Sequence, residues 1–214
     1  MASEIIEGLK QAVINYDSQA AATFAKKAAV ARVAPIKALE ALTEAIKQVG
    51  DRFGAGELWL PDLVGAADAM QAAMPIIEEE LSRAGVKRES QGVIVIGTVY
   101  GDIHNIGKDM VSTLLIAAGF EVHNLGVDIK AEAFLEAIDK FSANILAMSA
   151  LLTTTAPVQR KVIEALEKRG IRDKVRVMVG GGAITQEFAD EIGADGYDPT
   201  APGAVGLAKR LIGE

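Results

Sequence analysis

The sequence predicts an α/β fold: a flavodoxin-like (Rossmann-type), doubly wound, five-stranded parallel sheet preceded by an N-terminal four-helix bundle. Three observations predict it. Residues 1–88 are rich in Ala, Leu, Lys and Glu, with apolar residues at helical spacing, as in Ile5, Ile6, Leu9 and Val13. Val93-Ile94-Val95-Ile96-Gly97 is then a continuous β-branched run, of the kind buried on both faces of a parallel sheet. From there strand and helix patterns alternate five times, the grammar of a doubly wound sheet.

In the first part, helices are expected near 3–15, 18–33, 35–52 and 61–84. Asp17 or Ser18 can cap the second. Pro35 and Pro61 suit first-turn positions, where a missing N–H costs nothing. Asp51-Arg52-Phe53-Gly54-Ala55-Gly56 reads as a break. The polar, glycine-flanked stretch 85–92 reads as a linker, which divides the chain into a helical domain 1–88 and an α/β domain 89–214. The second domain begins with the strand at 93–97. Next come a helix near 106–118, a strand at 120–125, a helix at 130–140 and a strand at 144–149. A helix at 155–169, a strand at 175–179, a helix at 185–192, a weak strand near 196–198 and a helix at 202–212 complete it.

Composition narrows the function. The chain has 214 residues, half of them hydrophobic, and a net charge of −7. Both halves are acidic, so there is no electrostatic footprint for nucleic acid. No apolar run reaches the ~18 residues of a membrane span. The segment Met1-Ala2-Ser3-Glu4 starts an acidic amphipathic stretch unlike a secretory signal. There is no cysteine, hence no disulfide framework, thiol nucleophile or thiolate metal site. The simplest reading is a cytoplasmic protein with no nucleic-acid or membrane partner.

Open α/β sheets bind ligands beyond the carboxyl ends of their strands. The first such loop holds Asp102-Ile103-His104-Asn105-Ile106-Gly107, the third starts Ser149-Ala150-Leu151-Leu152-Thr153-Thr154-Thr155, and the fourth is Gly180-Gly181-Gly182-Ala183. Asp102 and His104, two apart in an extended loop, can approach each other. A carboxylate on one imidazole nitrogen fixes the tautomer and leaves the other nitrogen as a metal donor. One histidine cannot hold a bare zinc or iron, which takes three or four protein ligands. It can be the axial ligand of a metal already held by a macrocycle. Taken by itself, an Asp-x-His pair is more often an ordinary salt-bridged loop histidine. The triple glycine lacks the spacing of a dinucleotide loop or a P-loop; it says only that the backbone needs room.

Together these residues carry a resemblance. Asp102-Ile103-His104-Asn105-Ile106-Gly107, then Ser149-Ala150-Leu151, then Gly180-Gly181 match the DxHxxG, SxL and GG signature of the cobalamin-binding corrinoid proteins of methyltransferase systems, with Leu151 and Gly180 at the family separation. The cobalamin modules of methionine synthase are more distant relatives. Gly54-Ala55-Gly56-Glu57-Leu58-Trp59-Leu60-Pro61 resembles the signature of the family's helical domain, so the resemblance spans nearly the whole chain. It departs from many relatives in having Asn105 after the histidine and Gly182-Ala183 after the glycine pair. Neither change removes a ligand, but both leave the subfamily open.

The resemblance implies a non-covalently bound cobalamin or related corrinoid in base-off, His-on mode. His104 would be the lower axial ligand to cobalt and Asp102 would orient it. Ile103, Asn105, Ile106, Thr153 and Gly182 would join the cofactor contacts. Gly107, Gly180 and Gly181 would make room for the detached tail, Ser149 would bond its base and Leu151 would line its slot. Trp59 would shield the upper face or else sit in the bundle core. His123 and Met70 read as structural. The implied function is methyl carriage between a substrate:corrinoid methyltransferase and a corrinoid:acceptor methyltransferase with coenzyme M or tetrahydrofolate as acceptor. A reductive activator protein would restore the cofactor. The chain would be a component of such a system rather than a complete enzyme.

Other readings each lack a feature. A cobalamin-dependent mutase subunit usually lacks the helical domain. A cobalamin-sensing regulator needs a DNA-binding segment. A flavodoxin or receiver domain needs a phosphate loop or an acidic cluster with a phospho-acceptor aspartate, where this chain has Tyr100-Gly101-Asp102 and Met148-Ser149.

Overall fold

The computed structural model describes residues 2–85 and 90–213, which form two compact units. The expected domain boundary at 88/89, and much of the expected linker, lie outside the described residues.

The first unit contains α1 (Ala2–Ile14), α2 (Ser18–Val30), α3 (Pro35–Gly54) and α4 (Leu60–Ala84). Each buries one stripe: Leu9 and Val13 on α1, Ala21 and Ala25 on α2, Leu42 and Ile46 on α3, Leu63, Met70 and Ile77 on α4. The alanine stripe of α2 lets it pack closely on α1 and α4. The Asp17 carboxylate accepts the Ala20 N–H at 2.8 Å, capping α2. Pro35 and Pro61 lie in the first turns of α3 and α4. Two bounds differ from expectation. Helix α2 stops at Val30 because Arg32 takes a φ of 53° and the chain then extends into Pro35, whose ring disfavours a helical residue before it. Helix α3 continues through 51–54, because its last turn tolerates Gly54; the turn is made at Gly56, with φ 75°.

The second unit contains β1 (Val93–Thr98), α5 (Ile106–Ala117), β2 (Glu121–Asn124), α6 (Ala131–Phe141), β3 (Ile145–Ser149), α7 (Ala156–Arg169), β4 (Arg176–Gly180), α8 (Gln186–Glu191), β5 (Gly196–Tyr197) and α9 (Ala201–Ile212). A 3₁₀ turn at Arg172–Lys174 was not expected. The strands are parallel in the order β2-β1-β3-β4-β5. Winding therefore reverses between β1 and β3, where such sheets open a crevice. Val95, Leu146, Met148, Val177 and Val179 join Phe134, Val162 and Leu166 of α6 and α7 in one core. The alternate residues form two rows across the sheet. Ile96, Ala147 and Met178 are register partners, and one step nearer the carboxyl ends so are Thr98, Ser149 and Gly180. Among the described residues no helix is long and apolar enough to cross a membrane.

Candidate functional site

The loop between β1 and α5 is held from several sides. The Thr98 hydroxyl donates to the His104 carbonyl at 3.0 Å. Gly101, at φ 83°, donates its N–H to Asp128 Oδ1 at 2.7 Å, and the Asp128 N–H returns a bond to the Asp102 carbonyl at 3.0 Å. Asp102 itself is buried. Its Oδ1 accepts the His104 N–H at 3.0 Å and lies 2.7 Å from His104 Nδ1. Its Oδ2 accepts the Leu151 N–H at 2.8 Å and the Thr155 hydroxyl at 2.6 Å.

Burial pushes the Asp102 carboxyl upward. The bonds from Thr155, from the backbone and ring of His104, and from Leu151 outweigh burial and hold it well below the usual carboxylate range. An ionised carboxylate only accepts, so the ring proton of His104 resides on Nδ1 and the lone pair on Nε2. The His104 side chain is half exposed, at 49%, so that lone pair is accessible. Among the described residues no three His, Cys, Asp or Glu side chains converge on a metal position.

Thr155 gives a direct check on this arrangement. Thr155→Val removes the hydroxyl bonded to a buried charge and is expected to cost about 1.5–3 kcal/mol, whereas Thr155→Ser stays within ~1 kcal/mol. Urea unfolding of both variants measures the difference; equal midpoints would contradict the assigned bond.

Beside this loop a cavity of about 390 Å³ runs between the carboxyl ends of β1, β3 and β4 and helices α5 and α9. Ser149, Gly180, Gly181 and Gly182 stand at its sheet side and Gly107 at its α5 side. A Cβ at Gly107 would meet no atom within 4 Å, and one at Gly180 would only reach the Asp198 carbonyl at 4.0 Å. Both glycines thus leave space on the cavity side. Gly181 is different: it has φ 118°, and a Cβ there would lie 2.0 Å from the Ala150 carbonyl oxygen. Among the described residues nothing bonds the Ser149 hydroxyl. Around His104 stand exposed apolar side chains, Ile103 at 74% and Ile106 at 66%, with Tyr100, Leu151 and Leu152 about half exposed.

The structure thus gathers Asp102, His104, Gly107, Ser149, Leu151, Gly180, Gly181 and Gly182 at one end of the sheet. Leu151 contributes its backbone N–H to Asp102 as well as a side chain. Asn105 is exposed on the same loop. Thr153 is exposed, and among the described residues nothing bonds its hydroxyl; the hydroxyl that reaches Asp102 is that of Thr155. Trp59, N-cap of α4 in the helical unit, is 77% exposed rather than buried in the bundle core. His123 stacks on Phe141 at 3.6 Å and pairs with Glu121 at 2.7 Å, a structural setting. Sequence reasoning did not single out Thr98, Thr155, Asp128 or Lys108. The last is a buried ammonium bonded to Asp109 and, at 2.7 Å, to Asn124 Oδ1. The signal available for Thr155 was its position at the start of a helix, facing the same sheet edge.

Comparisons with known proteins place the chain in a family. The B12 binding domain family matches residues 92–205, and a second B12 binding domain model matches residues 5–78. The dimethylamine corrinoid protein 1 of Methanosarcina mazei is 44% identical over 98% of this chain and 96% of its own length. The trimethylamine corrinoid protein of Methanosarcina barkeri is 40% identical over 98% and 97%. The crystal structure of the methanol:cobalamin methyltransferase complex MtaBC from Methanosarcina barkeri superposes with a TM-score of 0.83 at 30% identity, covering 98% of this chain and 80% of that one. The chain belongs to the B12-binding corrinoid proteins of methyltransferase systems, and its cofactor is a cobalamin or related corrinoid.

Proposed function

We propose that this protein carries a methyl group between two methyltransferases, with His104 Nε2 as the lower axial ligand to the corrinoid cobalt and the detached tail base in the cavity beside Ser149. The observation that carries the reading is His104 itself: one accessible nitrogen lone pair, fixed by a buried ionised carboxylate, three residues before Gly107, which lines the cavity. When bound, the corrinoid supplies a cobalt centre that accepts a methyl group as a nucleophile and releases it to an acceptor.

The residues fit that group. The donor set is one imidazole nitrogen, sufficient where a macrocycle holds the metal's other positions. The space left at Gly107 and Gly180 is what a Cβ would fill, and the unbonded Ser149 hydroxyl faces it. Ile103, Ile106, Leu151 and Leu152 form an apolar collar suited to the face of a flat macrocycle. Asp102 keeps the His104 proton on Nδ1, and Thr155 and Leu151 keep Asp102 in place.

The relatives' systems suggest methylamines or methanol as methyl source, through a substrate-specific methyltransferase; coenzyme M or tetrahydrofolate would be the acceptor on a second one. A reductive activator would serve a cofactor that is occasionally oxidised. The test is the visible spectrum of protein mixed with hydroxocobalamin and desalted, beside His104→Ala. Wild type is expected to retain the corrinoid with nitrogen-ligated character. The variant is expected to retain about tenfold less or more, with the spectrum of a water-ligated, base-off corrinoid. Identical spectra and retention would remove His104 from the cobalt.

A further inference from the structure

The groove has a chemical gradient along its depth. At its rim stand Ser149 and Gly180, in register with the buried Thr98, and its inner row is Ile96, Ala147 and Met178. The Thr98 hydroxyl is spent on the His104 carbonyl, and the Gly180 carbonyl already accepts from Ala150 and Gln159. Ser149 therefore offers the rim's unengaged hydroxyl. The inner row offers no polar side-chain atom, and its peptide groups belong to the β1–β3–β4 ladders. The helices that face it add Met110 and Val111 from α5 and Ala201 and Ala204 from α9.

The polar residues that also line the cavity are engaged elsewhere: Tyr197 pairs with Val179, on the other face from Met178, and packs against the core there. Asp198 follows β5, whose Tyr197 is level with Val179, so it stands level with Gly180 on the rim. There its Oδ1 accepts both the N–H and the hydroxyl of Thr200. The Lys108 ammonium is turned to Asp109 and Asn124.

We infer that this groove selects the chemical class of the corrinoid's tail base: it takes a benzimidazole and discriminates against a purine. The inference rests on the tail-in-groove reading above. A base tethered through its sugar enters with the edge remote from that sugar leading. In a benzimidazole that edge is carbon and hydrogen, matched to Ile96, Ala147 and Met178, while the ring nitrogen stays at the level of Ser149. In adenine the leading ring carries two nitrogens and an amino group, and each loses water without gaining a partner.

The experiment titrates the full chain with three corrinoids carrying the same upper ligand: cobalamin, the adenine-based cobamide, and cobinamide, which has no tail base. Absorbance and calorimetry give the affinities. Each is corrected for the free corrinoid's own base-on to base-off equilibrium, read from its spectrum against pH. The adenine cobamide is expected to bind about tenfold or more weakly than cobalamin, since each unpaired buried polar group is worth roughly that factor. Met178→Gln, which places an amide in the inner row, is expected to narrow the ratio.

Equal or tighter binding of the adenine cobamide with nitrogen-ligated spectra would overturn the selectivity and leave the carrier reading standing. Cobinamide binding as tightly as cobalamin would do the same, because the tail would then contribute nothing in the groove. Retention of none of the three would remove both readings. An unchanged ratio in a folded Met178→Gln protein would overturn the assignment of the inner row.

Discussion

Asp102→Ala is expected to lower stability by about 3–5 kcal/mol, because it strips a buried charge from four donors at once. The donors are the His104 N–H and Nδ1, the Leu151 N–H and the Thr155 hydroxyl. Asp102→Asn should cost less, about 2 kcal/mol, because the amide keeps one acceptor oxygen while its NH₂ meets groups that also donate. The effect has a pH signature. The folded carboxyl titrates below its unfolded value, so its contribution is complete above the ordinary carboxylate range. It is lost as pH falls below about 4, through the depressed folded value. Wild type should therefore lose stability on acidification more steeply than Asp102→Ala, and the two should converge in strong acid. Urea midpoints at neutral and acidic pH measure this; parallel curves would show that the carboxylate contributes nothing. The variant should also bind corrinoid more weakly, since nothing then holds the imidazole proton on Nδ1.

Gly181→Ala is expected to be nearly as damaging for a different reason. Its φ of 118° is open to glycine, and a methyl group there would overlap the Ala150 carbonyl at 2.0 Å. That carbonyl belongs to the strand-end backbone beside the Ala150 N–H bond to Gly180, so relief requires β3 and β4 to part at the groove's mouth. A cost of about 3 kcal/mol or more follows, a shift of roughly 10 °C in the melting of the α/β unit. Gly107→Ala, with open space at its Cβ, provides the control: stability should stay near wild type while corrinoid affinity falls. Calorimetric melting of both variants separates backbone necessity from ligand space. A Gly181→Ala protein melting with wild type would contradict the strain.

The parts of this architecture legible in sequence were those written locally. The run Val93–Gly97 announced a buried strand, Asp17 and the two prolines announced helix starts, and Asp102 with His104 announced a pair because two residues in a loop are bound to be neighbours. What was not legible depends on distance along the chain or on backbone. Thr155 lies 53 residues from Asp102, and Thr153, Thr154 and Thr155 are chemically alike. Which of them turns inward is decided by where α7 begins. The role of the Leu151 N–H has no side-chain signature at all. Lys108 carries no local signal, because only folding brings Asn124 to it. The end of α3 was misplaced because a pair of glycines looks alike whether it closes a helix or interrupts one.

The four bonds to Asp102 also make two remote stretches of chain answer to each other. One oxygen holds the histidine, and the other holds the loop that begins at Ser149, on the wall of the groove. A ligand that settles that loop settles the carboxylate, and so narrows the angles open to the imidazole. By linkage the effect is reciprocal: whatever factor a seated tail adds to ligation at Nε2, ligation must add to the seating of the tail. On the proposed ligation and tail seating, the cofactor would be gripped at two points that strengthen together or loosen together, so its loss should be an all-or-none event rather than a gradual fraying at one end.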